Sequence, residues 1–336
     1  MKAAVLVEID KPLAIKEVEL TELKVGQVLV KVLVSGLCGA QLHEIRGHKG
    51  NAKFLPHLMG HEGCGVVQEV GPGVTTVKVG DKVVMHWRPG TGIEAPFPTY
   101  VMDGKNMSSG KVTTLSEYSI VSENRLTVVP QDTPPELCAI LGCALTTAMG
   151  IIDNEVDLKF GESVAVVGTG GVGLNLIQAA AMKSACPIYA VDNNLTKKEL
   201  CFSAGASLFT NSVLNIEEPV DVIIDTTGIP EVISQSISKL SGKGRMILVG
   251  QPAPGKMVEV MNAVNLFNGI GQSIKATQGG KTNPHEDIPR YVKLHQNGLL
   301  DISKLITHTF TLDEVNDAFD LLKTGNAGRI IVEIGV

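Results

Sequence analysis

Aromatic side chains are scarce in this chain: phenylalanine, tyrosine and tryptophan together make up 4% of its 336 residues, and there is a single tryptophan. Its cores must therefore rely on Val, Ile, Leu and Ala. Long apolar runs are missing as well. The opening run Met1–Val7 stops at Glu8 and Asp10, too early for a signal-peptide core, and no stretch approaches the length of a membrane span. An excess of positive charge is also absent. With a net charge of −6, nothing supports binding to nucleic acid or to an anionic membrane. Six cysteines fit reduced thiols and metal ligands better than a disulfide framework. A cytoplasmic location is the default expectation.

What is present is ordinary for a soluble globular chain: 44% hydrophobic and 19% charged residues. The length suggests about two domains. Residues 1–147 carry short β-branched runs (Lys2–Val7, Gln27–Ser35, Gly65–Val70, Lys82–Met85) separated by turn signals such as Pro72-Gly73, Gly80-Asp81 and Pro89-Gly90. They predict an antiparallel, partly barrelled β domain. No helical period is sustained before about residue 134, where Pro134-Pro135-Glu136 opens a helix. Residues 148–278 alternate strand and helix: Pro187–Val191, Thr196–Ala204, Ser207–Thr210, Val220–Asp225, Pro230–Leu240 and Arg245–Gly250. This is the pattern of a doubly wound parallel sheet. Residues 279–336 return to a mixed pattern, with helices at Ile288–Asn297 and Leu312–Lys323 and a closing strand at Arg329–Ile334. The parallel-sheet domain, 148–278, is thus expected to be inserted into a domain built from 1–147 and 279–336, with a cleft between them.

The chemistry is most legible in Val164–Gly173, where an apolar strand runs straight into G-x-G-x-x-G. Gly168 permits the tight turn, Gly170 lets the backbone approach a pyrophosphate, and Gly173 lets the following helix pack on the strand. Gly171 and Val172 complete the loop, and the helix N-terminus offers unpaired N–H groups to phosphate. Asp192, 19 residues past Gly173, stands at the end of the next strand. There it would accept hydrogen bonds from the adenosine ribose and repel a 2′-phosphate, which favours NAD over NADP.

Three further segments are Cys38–His43, Gly60-His61-Glu62-Gly63 and Leu141-Gly142-Cys143. Cys38, His61 and Cys143 make a Cys₂His set suited to a catalytic zinc with one open position, a Lewis-acidic site that would favour loss of an alcohol proton near neutral pH. Their gaps of 23 and 82 residues are not a zinc signature, and spacing alone leaves each cysteine readable as a core residue.

Taken together, these segments, with Gly71-Pro72-Gly73-Val74, Gly80-Asp81 and Ala327-Gly328-Arg329, closely resemble the medium-chain, zinc-dependent alcohol dehydrogenase family over essentially the whole length. Ile306-Thr307-His308 and Glu314–Leu322 are similar to its glutathione-dependent formaldehyde dehydrogenase and classical branch. The resemblance implies a GroES-like catalytic domain plus a Rossmann domain. It also implies an enzyme that transfers a hydride between an alcohol and NAD, acting on a small alcohol or carbonyl and forming a homo-oligomer, dimer or tetramer. By the same resemblance Cys38, His61 and Cys143 hold the zinc, with Glu62 able to approach it. His43 ends a proton relay, Lys197 sits near the adenosine ribose, Arg329 faces the pyrophosphate, and Thr147 and Val172 meet the nicotinamide.

Two positions depart from the family pattern. Ala40 stands where a Ser or Thr usually passes the alcohol proton outward, so the proton needs a water, a cofactor hydroxyl or a substrate hydroxyl. The segment Arg88–Thr114 lacks the four cysteines of the structural zinc lobe, so one zinc per chain and no structural zinc is the expectation. Thr277 and Gln278 suggest a polar pocket and hence a polyol or sugar-derived alcohol. Other readings are a zinc lyase or epimerase that keeps NAD bound without net redox turnover, or an inactive binding relative.

Overall fold

The structure, a computed structural model, describes residues 1–260 and 271–335. The chain forms two compact units. One comprises Met1–Thr146, Asn283–Ile302 and Ile306–Val336, the other Thr147–Thr282 with Ser303–Leu305. The edges anticipated from sequence lay at 147/148 and 278/279.

In the first unit the described residues build two sheets. The larger runs Leu126–Val128, Lys82–His86, Glu62–Val70, Gln27–Gly36, Arg329–Glu333, Ile306–Thr311, with Tyr118–Ser122 also paired to Gln27–Gly36. Alternation of Val28, Val30 and Val32, each at most 1% exposed, turns one face of Gln27–Gly36 into a core shared with Met85, Leu126, Phe319 and Ile330. The smaller sheet holds Ala14–Glu17, Lys2–Leu6, His57–Leu58, Lys105–Ser108, Thr99–Met102 and Glu19–Leu20. Its core gathers Ala3, Val5, Leu58 and Tyr100. The hairpin Thr99–Met102/Lys105–Ser108 was not anticipated, because its polar residues mask the alternation. The helix Gly39–Ile45 was likewise missed: at seven residues it is two turns, too short to display a period.

The second unit is a parallel sheet in the order Leu208–Thr210, Ile188–Val191, Val164–Val167, Val220–Asp225, Leu240–Leu248, Ser273–Ala276. Numbered along the chain this is 3-2-1-4-5-6, the dinucleotide-binding topology. Its central strands Val164–Val167 and Ile188–Val191 are continuous apolar runs, as expected where helices cover both faces of a parallel sheet. One core collects Val164, Val166, Leu174, Ile177 and Ile224, and the other Ala165, Val167, Ile223, Ile233 and Met246. The helix opening at Pro230 ends at Ile237, and Leu240 begins a strand rather than closing that helix. Pairing of Leu240 with Val220 claims it for the sheet. No single helix among the described residues is long and apolar enough to cross a membrane.

Candidate active site

Strand register gathers the first set of residues. Gln27–Gly36 lies between Glu62–Val70 (Ser35 opposite Gly63) and Arg329–Glu333 (Gly36 opposite Ile331). Both pairings are antiparallel, so the end of the middle strand meets the beginnings of its two neighbours. Cys38, His61–Glu62 and Arg329 become neighbours as a result. Cys143 arrives at the end of the helix Pro135–Leu141, which packs on Glu62–Val70. Its approach depends on Gly142: a Cβ there would fall 2.4 Å from the Met85 carbonyl oxygen and 2.8 Å from the Glu62 Cα.

One ligand atom from each of Cys38, His61 and Cys143 lies within 4.8 Å of the others. The Cys38 thiol is held well below its ordinary pKa, chiefly by the hydrogen bond from Cys143 and further by the His61 imidazole, against the opposing effect of burial. Cys143 is pushed up because it is the donor in that pair. Burial works to lower the pKa of His61, but the Cys38 sulfur outweighs it and the net direction is upward. Two sulfurs and an imidazole crowded together in this way form a set of soft and borderline donors, which suits a tetrahedral cation with one position left open.

Glu62, the residue after His61, is fully buried. One carboxylate oxygen is ion-paired with the Arg329 guanidinium, and the other accepts from the Ala144 amide at 3.3 Å. Burial raises its pKa, opposed by the Arg329 charge. Its backbone carbonyl accepts from Ser35 Oγ at 3.3 Å and Thr114 Oγ1 at 3.2 Å. Arg329 is 2% exposed, and its Nε has no hydrogen-bond partner among the described residues. Sequence reasoning overlooked Gln41, whose side-chain oxygen accepts from the Cys38 amide at 2.8 Å and fixes the turn that carries the sulfur. A Gln three residues past a helix-capping position was the available signal. His43, on the same helix, is half-buried and places Nδ1 3.4 Å from Nδ1 of His48.

The cysteine-free loop after Lys82–His86 is tied by charge. Glu123 accepts from the amides of Thr75, Thr76 and Ile93 at 2.8, 3.0 and 2.8 Å. Glu94 pairs with Lys111 at 2.9 Å and Arg125 at 3.0 Å, and accepts from Asn124 at 2.8 Å. Those partners outweigh its partial burial and hold its carboxyl down at about 2. The Thr91 amide donates to His285 Nδ1 at 3.1 Å, and the Arg125 guanidinium donates to the Trp87 carbonyl.

In the other unit the loop Gly168–Gly173 has the anticipated geometry. Gly168 has φ +87°, in the left-handed region. A Cβ on Gly173 would sit 2.0 Å from the Gly168 oxygen, whereas one on Gly170 would meet nothing within 4 Å, leaving open space above the backbone. The helix Gly171–Met182 starts there with Gly170 as its cap, placing Gly171 and Val172 in its first turn. Asp192 accepts from the Thr169 amide and hydroxyl at 2.8 and 2.7 Å through one oxygen and from the Asn194 amide at 2.9 Å through the other. Lys197, 5% exposed, reaches the Thr169 carbonyl at 3.3 Å and Asp192 at 3.4 Å. Thr147 is 6% exposed. Thr277 donates its hydroxyl to Glu155 at 3.1 Å.

The alcohol dehydrogenase GroES-like domain family matches residues 24–131, and the zinc-binding dehydrogenase family matches residues 171–297. The S-(hydroxymethyl)glutathione dehydrogenase of Paracoccus denitrificans is 30% identical over 98% of this chain and 99% of its own length. Among solved structures, an alcohol dehydrogenase zinc-binding domain protein from Burkholderia ambifaria superposes with a TM-score of 0.91 at 27% identity, covering 100% of this chain and 99% of that one. The benzyl alcohol dehydrogenase of Acinetobacter calcoaceticus gives 0.89 at 25% identity, covering 99% of each. With similarity spanning both units end to end, the chain belongs to the medium-chain zinc-dependent alcohol dehydrogenases, enzymes that exchange a hydride between an alcohol and a nicotinamide dinucleotide.

Proposed function

We propose that Cys38, His61 and Cys143 hold one zinc ion per chain and that the loop Gly168–Gly173 with Asp192 takes NAD in preference to NADP. The observation that carries this reading is the convergence of two sulfurs and an imidazole to within 4.8 Å. A zinc ion there supplies Lewis acidity to the oxygen of the reacting alcohol or carbonyl. The chain's own groups supply the rest. Glu62, ion-paired with Arg329 and accepting from the Ala144 amide, ties the residue after His61 to the residue after Cys143. Gln41 holds the Cys38 backbone in place. Ala40 offers no hydroxyl, so an outgoing proton would need another carrier before His43, with His48 beside it, could take it. Asp192 keeps acceptor capacity for a ribose hydroxyl, since each carboxylate oxygen has two lone pairs. Lys197 stands beside it. Arg329 has an Nε without a partner among the described residues and keeps the pyrophosphate role that the family resemblance gives it, and Thr147 and Val172 remain the residues assigned to the nicotinamide.

In the loop Arg88–Thr114, carboxylate pairing does the work that a second metal performs elsewhere in the family, which supports a single zinc. The substrate is a small alcohol or its carbonyl. A polyol remains the reading favoured by the missing relay hydroxyl, although Thr277 supports it less, because its hydroxyl is engaged by Glu155. The protein is read as a cytoplasmic homo-oligomer. Metal analysis together with NAD reduction tests the assignment: we expect one zinc per chain, lost in Cys143→Ser along with turnover of benzyl alcohol and butane-2,3-diol. Two zincs per chain, or full turnover by Cys143→Ser, contradicts it. The NAD preference is expected to shrink in Asp192→Asn, read as the ratio of kcat/KM for NAD and NADP.

A further inference from the structure

Two histidines outside the Cys38–His61–Cys143 set meet where the loop after Lys82–His86 begins. The rings of His86 and His285 stand edge to face, with centres 5.8 Å apart. His86 is buried and both its nitrogens are engaged. Its Nδ1 lies 2.7 Å from the Arg88 carbonyl, which can only accept, so Nδ1 donates and Nε2 accepts from the Thr127 hydroxyl at 2.9 Å. Burial holds its pKa down at about 3, and it stays neutral where histidines ordinarily titrate.

His285, in the first turn of the helix Pro284–Gln296, is placed differently. Its Nδ1 accepts from the Thr91 amide at 3.1 Å, and an amide can only donate, so this nitrogen carries no proton. The loop backbone presses on the ring: a Cβ on Gly90 would fall 2.0 Å from Nδ1. Arg88–Thr91 is thus held by the His86 bond, by the Gly90 amide on the Asn124 carbonyl at 2.6 Å, and by the Thr91 amide on His285. The last of these is the one that a proton abolishes. An imidazolium would set a second donor against the Thr91 N–H, where the Gly90 backbone already touches the ring.

The charges on the surrounding elements leave that conflict standing. Arg88 lies in the loop, and Arg125 on the turn Glu123–Arg125 acts on His86. The Glu123 carboxylate acts on His285 but is occupied by the Thr75, Thr76 and Ile93 amides. On the helix itself Asp287 is paired with Arg290, and Glu286 is exposed. Burial pushes the His285 pKa down, the Leu126 carbonyl and Glu123 oppose it, and the net direction is downward. The contact therefore contributes fully above the ordinary histidine value of 6.5 and is lost as pH falls through the lower value of the closed loop.

We propose that His285 is a pH-sensitive latch: its neutral ring holds Arg88–Thr91 against the end of strand Lys82–His86, and protonation of the ring releases that segment. The proposal needs neither the metal nor the cofactor reading.

Trp87, the single tryptophan, reports on the latch. The Arg88 guanidinium lies 5.6 Å from its ring centre, and its carbonyl accepts from Arg125. Acrylamide quenching of its fluorescence and amide hydrogen exchange of the peptide containing Arg88–Thr91 are followed on the full chain from about pH 7.5 to about pH 5. Glu94 and Glu123 stay charged over that range, so the loop from Ile93 onward remains tied. Quenching is expected to rise about twofold, reversibly, and exchange to quicken about tenfold beyond its intrinsic pH dependence. Both midpoints should lie below 6.5. In His285→Gln, which has no proton to gain, both readouts should stay flat. In His285→Lys, a permanent cationic donor, both should already be high at the upper pH, with circular dichroism confirming the fold. If the Lys variant does not fold, His285→Gln decides alone. Readouts that do not move in the unmodified chain, a step that survives in His285→Gln, or quenching that rises without faster exchange overturns the proposal.

Discussion

Arg329 shows how a single side chain connects packing with chemistry. Its guanidinium is buried, and the carboxylate it neutralises belongs to Glu62, the residue after His61, and also accepts from the amide of Ala144, the residue after Cys143. Arg329→Met would leave Glu62 buried without a counter-charge, a loss of about 3–5 kcal/mol for a broken buried pair. It should also weaken zinc binding by roughly 10–100-fold, as loss of a group behind a ligand does. Chelator competition and thermal unfolding on the same variant read the two effects separately. Unchanged zinc affinity would mean that Glu62 and Arg329 serve the fold alone. Ala40 is the second residue of interest. Ala40→Ser restores a hydroxyl two residues past Cys38, and kcat on simple alcohols should rise, by at most the ~10²–10⁴-fold that proton assistance supplies. A pH profile of kcat that does not move on this substitution would show that the hydroxyl is dispensable.

At the scale of elements, the loop between Trp87 and Pro98 is held by Glu94 and Glu123 rather than by cysteines. Both carboxyls lie below their ordinary range in the folded protein, Glu94 at about 2. A depressed folded-state pKa contributes stability that is fully present above the unfolded value, near pH 4.5, and is lost as pH falls through the folded one. The loop should therefore stay closed at pH 6 and open progressively from about pH 4.5 toward pH 2, while Glu94→Gln opens it at neutral pH. Proteolytic cleavage within the loop, followed against pH, reports this, and cleavage independent of pH would rule it out. The glycine loop of the other unit makes a sharper demand. In Gly173→Ala the new methyl would sit 2.0 Å from the Gly168 oxygen, so the helix must withdraw from the strand. NAD affinity, read by fluorescence titration, should fall by at least tenfold.

For the molecule as a whole, cofactor and metal act as stabilisers through mass action. NAD at a hundred times its dissociation constant should add about 2.7 kcal/mol, seen as a rise in Tm that NADP at the same concentration does not match. An equal rise with NADP would remove the specificity assigned to Asp192.

The glycine loop, its helix and Asp192 were legible in the sequence because their function is local: strand, turn and helix follow one another within about thirty residues, as a βαβ unit requires. The strand alternation of Gln27–Gly36 was legible for the same reason. The hairpin Thr99–Met102/Lys105–Ser108 and the helix Gly39–Ile45 were not, since a short or polar element owes its form to neighbours distant in the chain. Cys38, His61 and Cys143 could be named from the sequence as a Cys₂His set suited to zinc, but it was the family resemblance that assigned them the metal, because gaps of 23 and 82 residues carry no geometric information. Two antiparallel registers and the close approach at Gly142 are what bring them together. The ion pair between Glu62 and Arg329, 267 residues apart in the chain, belongs wholly to the tertiary structure, because a charge acts through space and its partner is chosen by the fold.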